Sequence, residues 1–291
     1  MGKKILITGA NSYIGTSVEE WLGKYPEWYE IETIDMVDNT WRRKDFSGYH
    51  VIFHVAGIAH KKVKDTSSRM WDKYYNVNTQ LAFETARKAK EAGVGQFIFM
   101  SSMSIYGNVE HITFDTIPCP QSFYGDSKWR AEQKLAELSD AAFRIAILRP
   151  PMVFGKGAKG NYPILSKLSK KTIIFPKVEN RRSMIYIENL CEFIRLIIDN
   201  NEAGVFFPQD ENWINTTDMV RKIATVSNHR IWFTKILVPC IHLGNMLPGK
   251  IGTMCKKAFG SCYYDLEMSD YKGRYRLYDL ETAIERTERQ L

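Results

Sequence analysis

Lys4-Ile5-Leu6-Ile7-Thr8-Gly9-Ala10-Asn11-Ser12-Tyr13-Ile14-Gly15 is the stretch from which the fold can be read. A short apolar run ended by a glycine is a buried-strand signal, and the apolar spacing that follows, through Val18 and Leu22, is helical. Strand, glycine turn and helix in that order is the context a dinucleotide-binding fingerprint requires. Gly9 permits the tight turn and Gly15 the close packing of helix on strand, while N–H groups at the helix start can meet a pyrophosphate. The middle glycine of the usual G-x-x-G-x-x-G pattern is Ser12 here. The backbone must then approach phosphate past a small side chain, whose hydroxyl can donate a bond.

Working outward, Ile31–Asp35 reads as the second strand with Asp35 at its end. An acid there accepts bonds from the adenosine ribose hydroxyls and repels a 2′-phosphate, so NAD is favoured over NADP. The bland alternative is a turn aspartate, and the basic run Arg42-Arg43-Lys44 is a counter-signal for a 2′-phosphate. The link to the next strand, Val51–Val55, is too short and polar for a full crossover helix. His54 on that strand reads as a packed residue, with no metal set around it. A helical pattern from about Ser68 to Ala92 ends at Gly93 as a C-cap. Further strands are expected at Gln96–Met100 and Phe143–Leu148. This alternation argues an α/β fold of the Rossmann type, a doubly wound parallel sheet. In such sheets ligands collect beyond the strands' carboxyl ends, and Gly9, Asp35, Gly57, Ser102 and Arg149 all fall at such ends.

Beyond Gly155 the pattern is less regular, with helices suggested around Tyr162–Lys170, Glu188–Asn200 and Thr217–Val226 and a strand near Ser183–Ile187. The expected division is a nucleotide-binding domain over residues 1–155 and a smaller C-terminal substrate-binding lobe over 156–291. Segments around 183–207 are expected to return to the main domain.

Composition bounds the function. At 291 residues, 44% apolar and 25% charged, the chain has an ordinary globular balance. A formal charge of +7 suits an anionic partner without naming one. The lysines are dispersed, and no basic-aromatic stripe points to nucleic acid. Cys119, Cys191, Cys240, Cys255 and Cys262 fit neither a metal-ligand spacing nor an even disulfide framework, and read as free thiols in a reducing compartment. No apolar run approaches the length of a membrane span, and the first strand begins almost at Met1, leaving no room for a signal peptide. A cytoplasmic location is expected.

Tyr124-Gly125-Asp126-Ser127-Lys128 supplies candidate chemistry. Residues four apart share a helix face, and an ammonium beside a phenol favours the phenolate and lowers its pKa, as a general acid–base device needs. Taken alone the pair can also be an aromatic packed over a solvated lysine.

The chain resembles the extended short-chain dehydrogenase/reductases, within them the nucleotide-sugar epimerase/dehydratase family. The residues that carry the resemblance are Thr8–Gly15, His54–Gly57, Asn76–Asn78, Ser101-Ser102, Ile105–Gly107, Tyr124–Lys128, Leu148–Pro151 and Asn180–Leu190. The resemblance implies a catalytic set of Ser102, Tyr124 and Lys128 and a UDP-linked hexose as substrate. It implies NAD held by Gly9, Asn11, Ser12, Tyr13, Ile14, Gly15, Asp35 and Asp45. Ala56, Gly57, Asn76 and Pro151 would touch the same cofactor, together with Tyr124 and Lys128. Ser104 would add a bond to the sugar, and Arg182 and Asn161 would hold the diphosphate, for which arginine's planar fork is suited. Relatives pair through two long helices, here about Ser68–Ala92 and Ser122–Leu138, so a homodimer is implied. Where UDP-galactose 4-epimerases carry an aromatic-Asn pair after Leu148-Arg149, this chain has Pro151-Met152. That form resembles a subgroup holding both 4-epimerases and 4-keto-sugar reductases. Three readings follow: a 4-epimerase, an NAD(P)H-dependent reductase of a UDP-4-keto-6-deoxy-hexose, and a cofactor-binding regulator without chemistry.

Overall fold

The strand opened by the quoted stretch lies inside a parallel sheet. The structure is a computed structural model that describes residues 2–59, 68–247 and 249–289. Its first elements are β1 (Lys3–Thr8), α1 (Tyr13–Leu22), β2 (Tyr29–Ile34), β3 (Val51–His54), α2 (Ser68–Tyr74), α3 (Leu81–Glu91) and β4 (Gln96–Met100). Then come β5 (His111–Ile112), α4 (Phe123–Ala136), β6 (Arg144–Leu148), β7 (Met152–Phe154), α5 (Asn161–Ser169) and β8 (Ile174–Pro176). β9 (Met184–Tyr186), α6 (Ile187–Asp199), β10 (Gly204–Phe206), α7 (Thr216–Val226) and β11 (Trp232–Thr234) follow. The last are α8 (Val238–Met246), α9 (Lys250–Phe259), β12 (Tyr263–Tyr264) and α10 (Leu280–Glu288).

Six strands pair in the order β10-β6-β4-β3-β1-β2, each pairing parallel. Side-chain alternation sends Ile5, Ile7, Phe53 and Ile98 to one face, where α1 and α6 cover them. Leu6, Ile52, Phe97 and Phe99 go to the other face, against Ala82, Ala86 and Ala89 of α3 and Ala131 of α4. With both faces covered, the strands can read as continuous apolar runs. The chain steps from β1 to β2 on one side and then to β3 on the other, which puts the switch point beyond the carboxyl ends of β1 and β3.

Several expectations shift in register. The second strand is Tyr29–Ile34, so Asp35 lies just past it, and only a 3₁₀ turn, Asn39–Arg43, stands between β2 and β3. The long helix expected from Ser68 contains a π-helical turn, Tyr75–Gln80, between α2 and α3. In that turn Asn78 and Thr79 bond Ser127 of α4. The three later helices begin one residue earlier than expected, at Asn161, Ile187 and Thr216. Helices α8 to α10 and the short strands β5, β7, β8, β10, β11 and β12 are not among the expected elements; the strands, of two or three residues, are too short to show a period.

The C-terminal half is tied into the first half at several points. β10 pairs with β6 in the central sheet, and Trp21 of α1 donates to Glu192 of α6 at 3.0 Å. β12 pairs with β5, β9 with β7, and β8 with β11.

Under α4 lies a buried ion pair. Arg149, just past β6, sets Nη2 2.6 Å from Glu132 Oε2 and donates from Nη1 to the Tyr106 hydroxyl at 2.6 Å. Glu132 also accepts from Ser101 Oγ, and the Tyr264 hydroxyl donates to Arg149 O at 2.9 Å. Arg149→Met would leave Glu132 buried without its counter-charge. It should cost about 3–5 kcal/mol of unfolding free energy by urea denaturation, and adding Glu132→Leu should recover much of that loss. A single variant within about 1 kcal/mol of the parent would show that the pair is solvated.

Candidate active site

The sheet delivers Ser102 and α4 delivers Tyr124 and Lys128. After β4, Ser102 caps a 3₁₀ turn, Met103–Tyr106, its Oγ accepting from Ser104 N at 3.2 Å and lying 2.6 Å from Ser104 Oγ. Ser122 caps α4, its Oγ accepting from Gly125 N at 3.1 Å. A Cβ at Gly125 would fall 2.4 Å from Ser104 O, so only glycine lets the first turn of α4 lie against this serine segment. That contact sets the Tyr124 phenol beside Ser102, close enough for the serine hydroxyl to act on its proton. One turn on, Lys128 is buried, its Nζ donating to Met100 O at 2.7 Å and standing 4.5 Å over the Phe99 ring.

The protonation states differ from the simple tyrosine–lysine picture. Burial raises Tyr124 above its ordinary value, the bond from Ser102 acts in the opposite sense, and Tyr74 adds to the rise. Lys128 is lowered to about 7 by burial, with Glu132 opposing. The expected lowering of the phenol by its lysine is therefore corrected. The lysine's ammonium is spent on Met100 O and partly discharged by burial, and the phenol stays protonated beside Ser102. A neutral phenol beside a serine hydroxyl, with a lysine one turn away, can donate a proton to an oxygen placed between them.

The glycine loop forms a cradle at the switch point. Gly9 has φ +87°, and a Cβ there would fall 2.8 Å from Ala56 Cα; Asn11 also takes positive φ. Gly9 N and Ala10 N donate to Ile34 O at 2.9 and 3.1 Å, holding the loop against the end of β2. Ser12 is the N-cap of α1, accepting from Gly15 N at 3.2 Å, so its hydroxyl has a helix-capping role besides any bond it can donate. The N–H groups of Tyr13 and Ile14 belong to the first turn, which has no partners within its own helix. The Tyr13 hydroxyl is buried with no hydrogen-bond partner among the described residues. Asp35 is exposed, Oδ1 accepting from Val37 N at 2.8 Å and leaving its other oxygen to solvent. Two of the three basic residues nearby are neutralised, Arg42 by Glu84 and Lys44 by Glu32. The close-approach loop, small Ala56 and exposed Asp35 fit a dinucleotide.

Other predicted residues are dispersed. Asp45 is exposed and holds Ser47 N at 2.8 Å and Ser47 Oγ at 2.6 Å. Asn76 is exposed, whereas Asn78 is buried: its Oδ1 accepts from Ile58 N at 2.8 Å and its Nδ2 donates to Ser127 Oγ at 2.9 Å. Asn78 thus locks the loop carrying Gly57 to α4. Pro151 is buried between β6 and β7. Asn161 is exposed at the start of α5. Arg182 is partly buried, donating from Nη1 to Gly260 O at 2.9 Å, and burial lowers it. Among the described residues it has no carboxylate partner. Its strand segment meets the site through Cys262, whose backbone pairs with Arg182 and whose Sγ is 3.3 Å from Met103 Sδ. His54 is buried, Nδ1 2.8 Å from Thr8 Oγ1 and its ring stacked on Phe97 and Phe99; burial and the Lys128 charge lower it to about 3. It is a packed residue.

Sequence reasoning passed over Asn78 and Glu132. Glu132 had a signal, since Tyr124, Lys128 and Glu132 follow one another at helical spacing of four. Asn78 had none, because the π turn changes which of Asn76 and Asn78 faces inward.

A family model described as the NAD dependent epimerase/dehydratase family matches residues 5–207. The chain is 30% identical to a UDP-glucose 4-epimerase of Vibrio cholerae, over 86% of this chain and 84% of that protein. It is 29% identical to the N-acetyl-alpha-D-glucosaminyl-diphospho-ditrans,octacis-undecaprenol 4-epimerase of Escherichia coli O157:H7, over 88% and 79%. Among solved structures, UDP-glucuronic acid 4-epimerase from Bacillus cereus in complex with NAD superposes with a TM-score of 0.66 at 20% identity, covering 80% of this chain and 87% of that one.

The lysine can be tested without substrate. Lys128 titrates at about 7 in the fold and near 10.4 unfolded, so between those values the native state binds fewer protons and this group makes stability rise with pH. Lys128→Met removes that contribution. The variant's urea midpoint should gain less than the parent's between about pH 7 and pH 9; parallel curves would mean that the buried amine stays charged.

Proposed function

Because the chain belongs to the NAD-dependent epimerase/dehydratase family, an enzyme family, we propose that it is a UDP-hexose 4-epimerase. The observation that carries the reading is the Tyr124 phenol set beside Ser102, one turn from buried Lys128. The family's cofactor, NAD, would supply hydride exchange at carbon 4 of the sugar when bound. Tyr124, as its phenolate, would take the 4-hydroxyl proton as the keto-sugar forms and, as the phenol, would give it to the keto oxygen when hydride returns to the opposite face; the protonated phenol favoured by burial is the form that acts in the second half. Ser102 bonds the same oxygen and stabilises charge developing on it, with Ser104 adding a bond to the sugar. Lys128 holds the nicotinamide ribose. Arg182, lacking a carboxylate partner among the described residues, and Asn161 hold the diphosphate. Asp35, with Arg42 and Lys44 neutralised beside it, supports NAD over NADP. Asp45, Asn76 and Pro151 complete the cofactor contacts in this reading, and the 156–291 segment supplies most of the substrate contacts.

A second reading, NAD(P)H-dependent reduction of a UDP-4-keto-6-deoxy-hexose, is favoured by Pro151-Met152 alone. The regulator reading leaves Ser102, Tyr124 and Lys128 without a purpose and ranks below both. Either product would feed polysaccharide synthesis. No helix among the described residues is long and apolar enough to cross a membrane, and the cysteines described are free; both accord with a cytoplasmic enzyme.

The deciding experiment incubates the protein with UDP-glucose or UDP-N-acetylglucosamine and a trace of NAD, and resolves the 4-epimers by chromatography. Epimer should form without net oxidation, and Tyr124→Phe should slow it by about a hundredfold or more with little change in KM. No epimer from either sugar, with stoichiometric NAD(P)H oxidation on a UDP-4-keto-6-deoxy-hexose, transfers the assignment to the reductase.

We also propose a homodimer paired through α2–α3 and α4. There Trp71 and Tyr75 stack at 4.9 Å, and Lys134 stands 5.3 Å over Phe83, an aromatic stripe across both helices. Sedimentation at micromolar concentration should give a dimer that Trp71→Glu dissociates; a monomeric parent would discard the pairing.

A further inference from the structure

The C-terminal half carries a surface that neither catalysis nor dimer pairing uses. Helix α5 buries Tyr162, Leu165 and Ser169 and leaves Ile164 and Leu168 exposed at helical spacing, with Lys167 between them. The chain then turns into β8 with Ile173 and Ile174 exposed. The neighbouring strand is fixed against it: Trp232 N donates to Ile173 O at 2.8 Å, Trp232 is in register with Ile174, and His229 Nε2 lies 2.8 Å from Thr172 O. Alternation turns Phe175 and Phe233 inward and sends Ile174 and Trp232 outward together. Ile173, Trp232 and Ile236 are 77%, 75% and 83% exposed, unusual for side chains of this size in one place.

The two segments that form this patch carry positive charge, with Glu179 and Glu288 beside them. Gly155–Val178 holds six lysines and no acidic residue, and Ser227–Cys262 holds five lysines and arginines and no acidic residue. Lys170 and Lys235 are paired to Glu288 and Glu179. Lys167, Lys171, Lys177 and Arg230 have no ion-pair partner among the described residues.

We propose that this face docks the protein on an anionic lipid bilayer as a peripheral contact. Trp232 and the isoleucines would enter the headgroup boundary while the flanking lysines reach the lipid phosphates, the division of labour of interfacial membrane binders. A tryptophan is suited to that depth, where one edge is apolar and the other wet. A second copy of the chain is the poorer occupant. A two-fold contact through this face would set Lys167, Lys171 and Arg230 against their own symmetry mates, while the neighbouring carboxylates Glu179 and Glu288 are already paired to Lys235 and Lys170. α5 links the patch to Asn161 within one short helix, about 14 Å long by helical rise, so docking would hold the lobe at the membrane while the sheet stays in solution.

The test is co-sedimentation of the full chain with phosphatidylcholine vesicles, pure or containing about one-third phosphatidylglycerol. Binding should be at least about tenfold stronger to the anionic vesicles and weaken with added salt. Trp232→Ser with Ile236→Ser, and separately Lys171→Glu with Arg230→Glu, should each reduce it about tenfold or more. These side chains are exposed, so the circular dichroism and thermal midpoint should not change. Equal affinity for the two vesicles, or none for either, would overturn the proposal. So would a solution oligomer that Trp232→Ser disperses while Trp71→Glu does not, which would give the face to a second copy instead.

Discussion

The buried Glu132–Arg149 pair is the interaction on which the arrangement of the site depends. Removing two charges from water is costly, and the pair is tolerable only because nearly every remaining donor and acceptor is met. The partners that meet them come from everywhere the site must be held together. Ser101 comes from the end of β4, Tyr106 from the serine segment, and Tyr264 from the C-terminal half. A hydrophobic replacement of the same volume could stabilise as much, but it would lack the directional bonds that fix α4 in rotation. That rotation decides whether Tyr124 reaches Ser102.

Charge continuity along α4 extends the same logic. Lys128 lies between a neutral phenol and the Glu132 carboxylate, buried and lowered to about 7. Burial alone would discharge it further; Glu132 opposes that, and Arg149 in turn balances Glu132. The lysine is therefore held near the middle of its titration at neutral pH, so a small local change in polarity can shift it either way. The phenol is held protonated by the same exclusion of water, which is the state needed to give a proton to a keto oxygen.

The formal charge of +7 acquires a location in the structure. Basic residues around the glycine loop are largely consumed by Glu84 and Glu32, and Arg149 by Glu132. Lys167, Lys171, Lys177 and Arg230, without ion-pair partners among the described residues, belong to the C-terminal segments that also carry exposed isoleucines and a tryptophan. Among the basic residues, partly buried Arg182 is thus distinguished as a candidate for a diphosphate, and the lysines of the C-terminal segments as candidates for phosphate headgroups.

The sequence alone determined five of the six strands of the central sheet, their parallel sense, the glycine loop and the spacing of Tyr124 and Lys128. Each of these is written in local pattern: apolar runs bounded by glycine, helical periodicity, and residues four apart. It also carried Asp35 to the end of β2, because a strand's end is a local event. Local pattern could not say that Asn78 rather than Asn76 turns inward, since a π turn changes helical phase without any compositional mark. Nor could it say that Lys128 would bond Met100 O instead of lowering Tyr124, because a pKa is set by what surrounds a group in space. The short strands β5, β8, β11 and β12 exist only through their partners, two or three residues each being too few to show a period. Local pattern gives Gly125, between tyrosine and lysine, no role of its own. Only the close approach of Ser104 O, a contact between segments about twenty residues apart in sequence, reveals why a side chain there would separate the serine from the tyrosine.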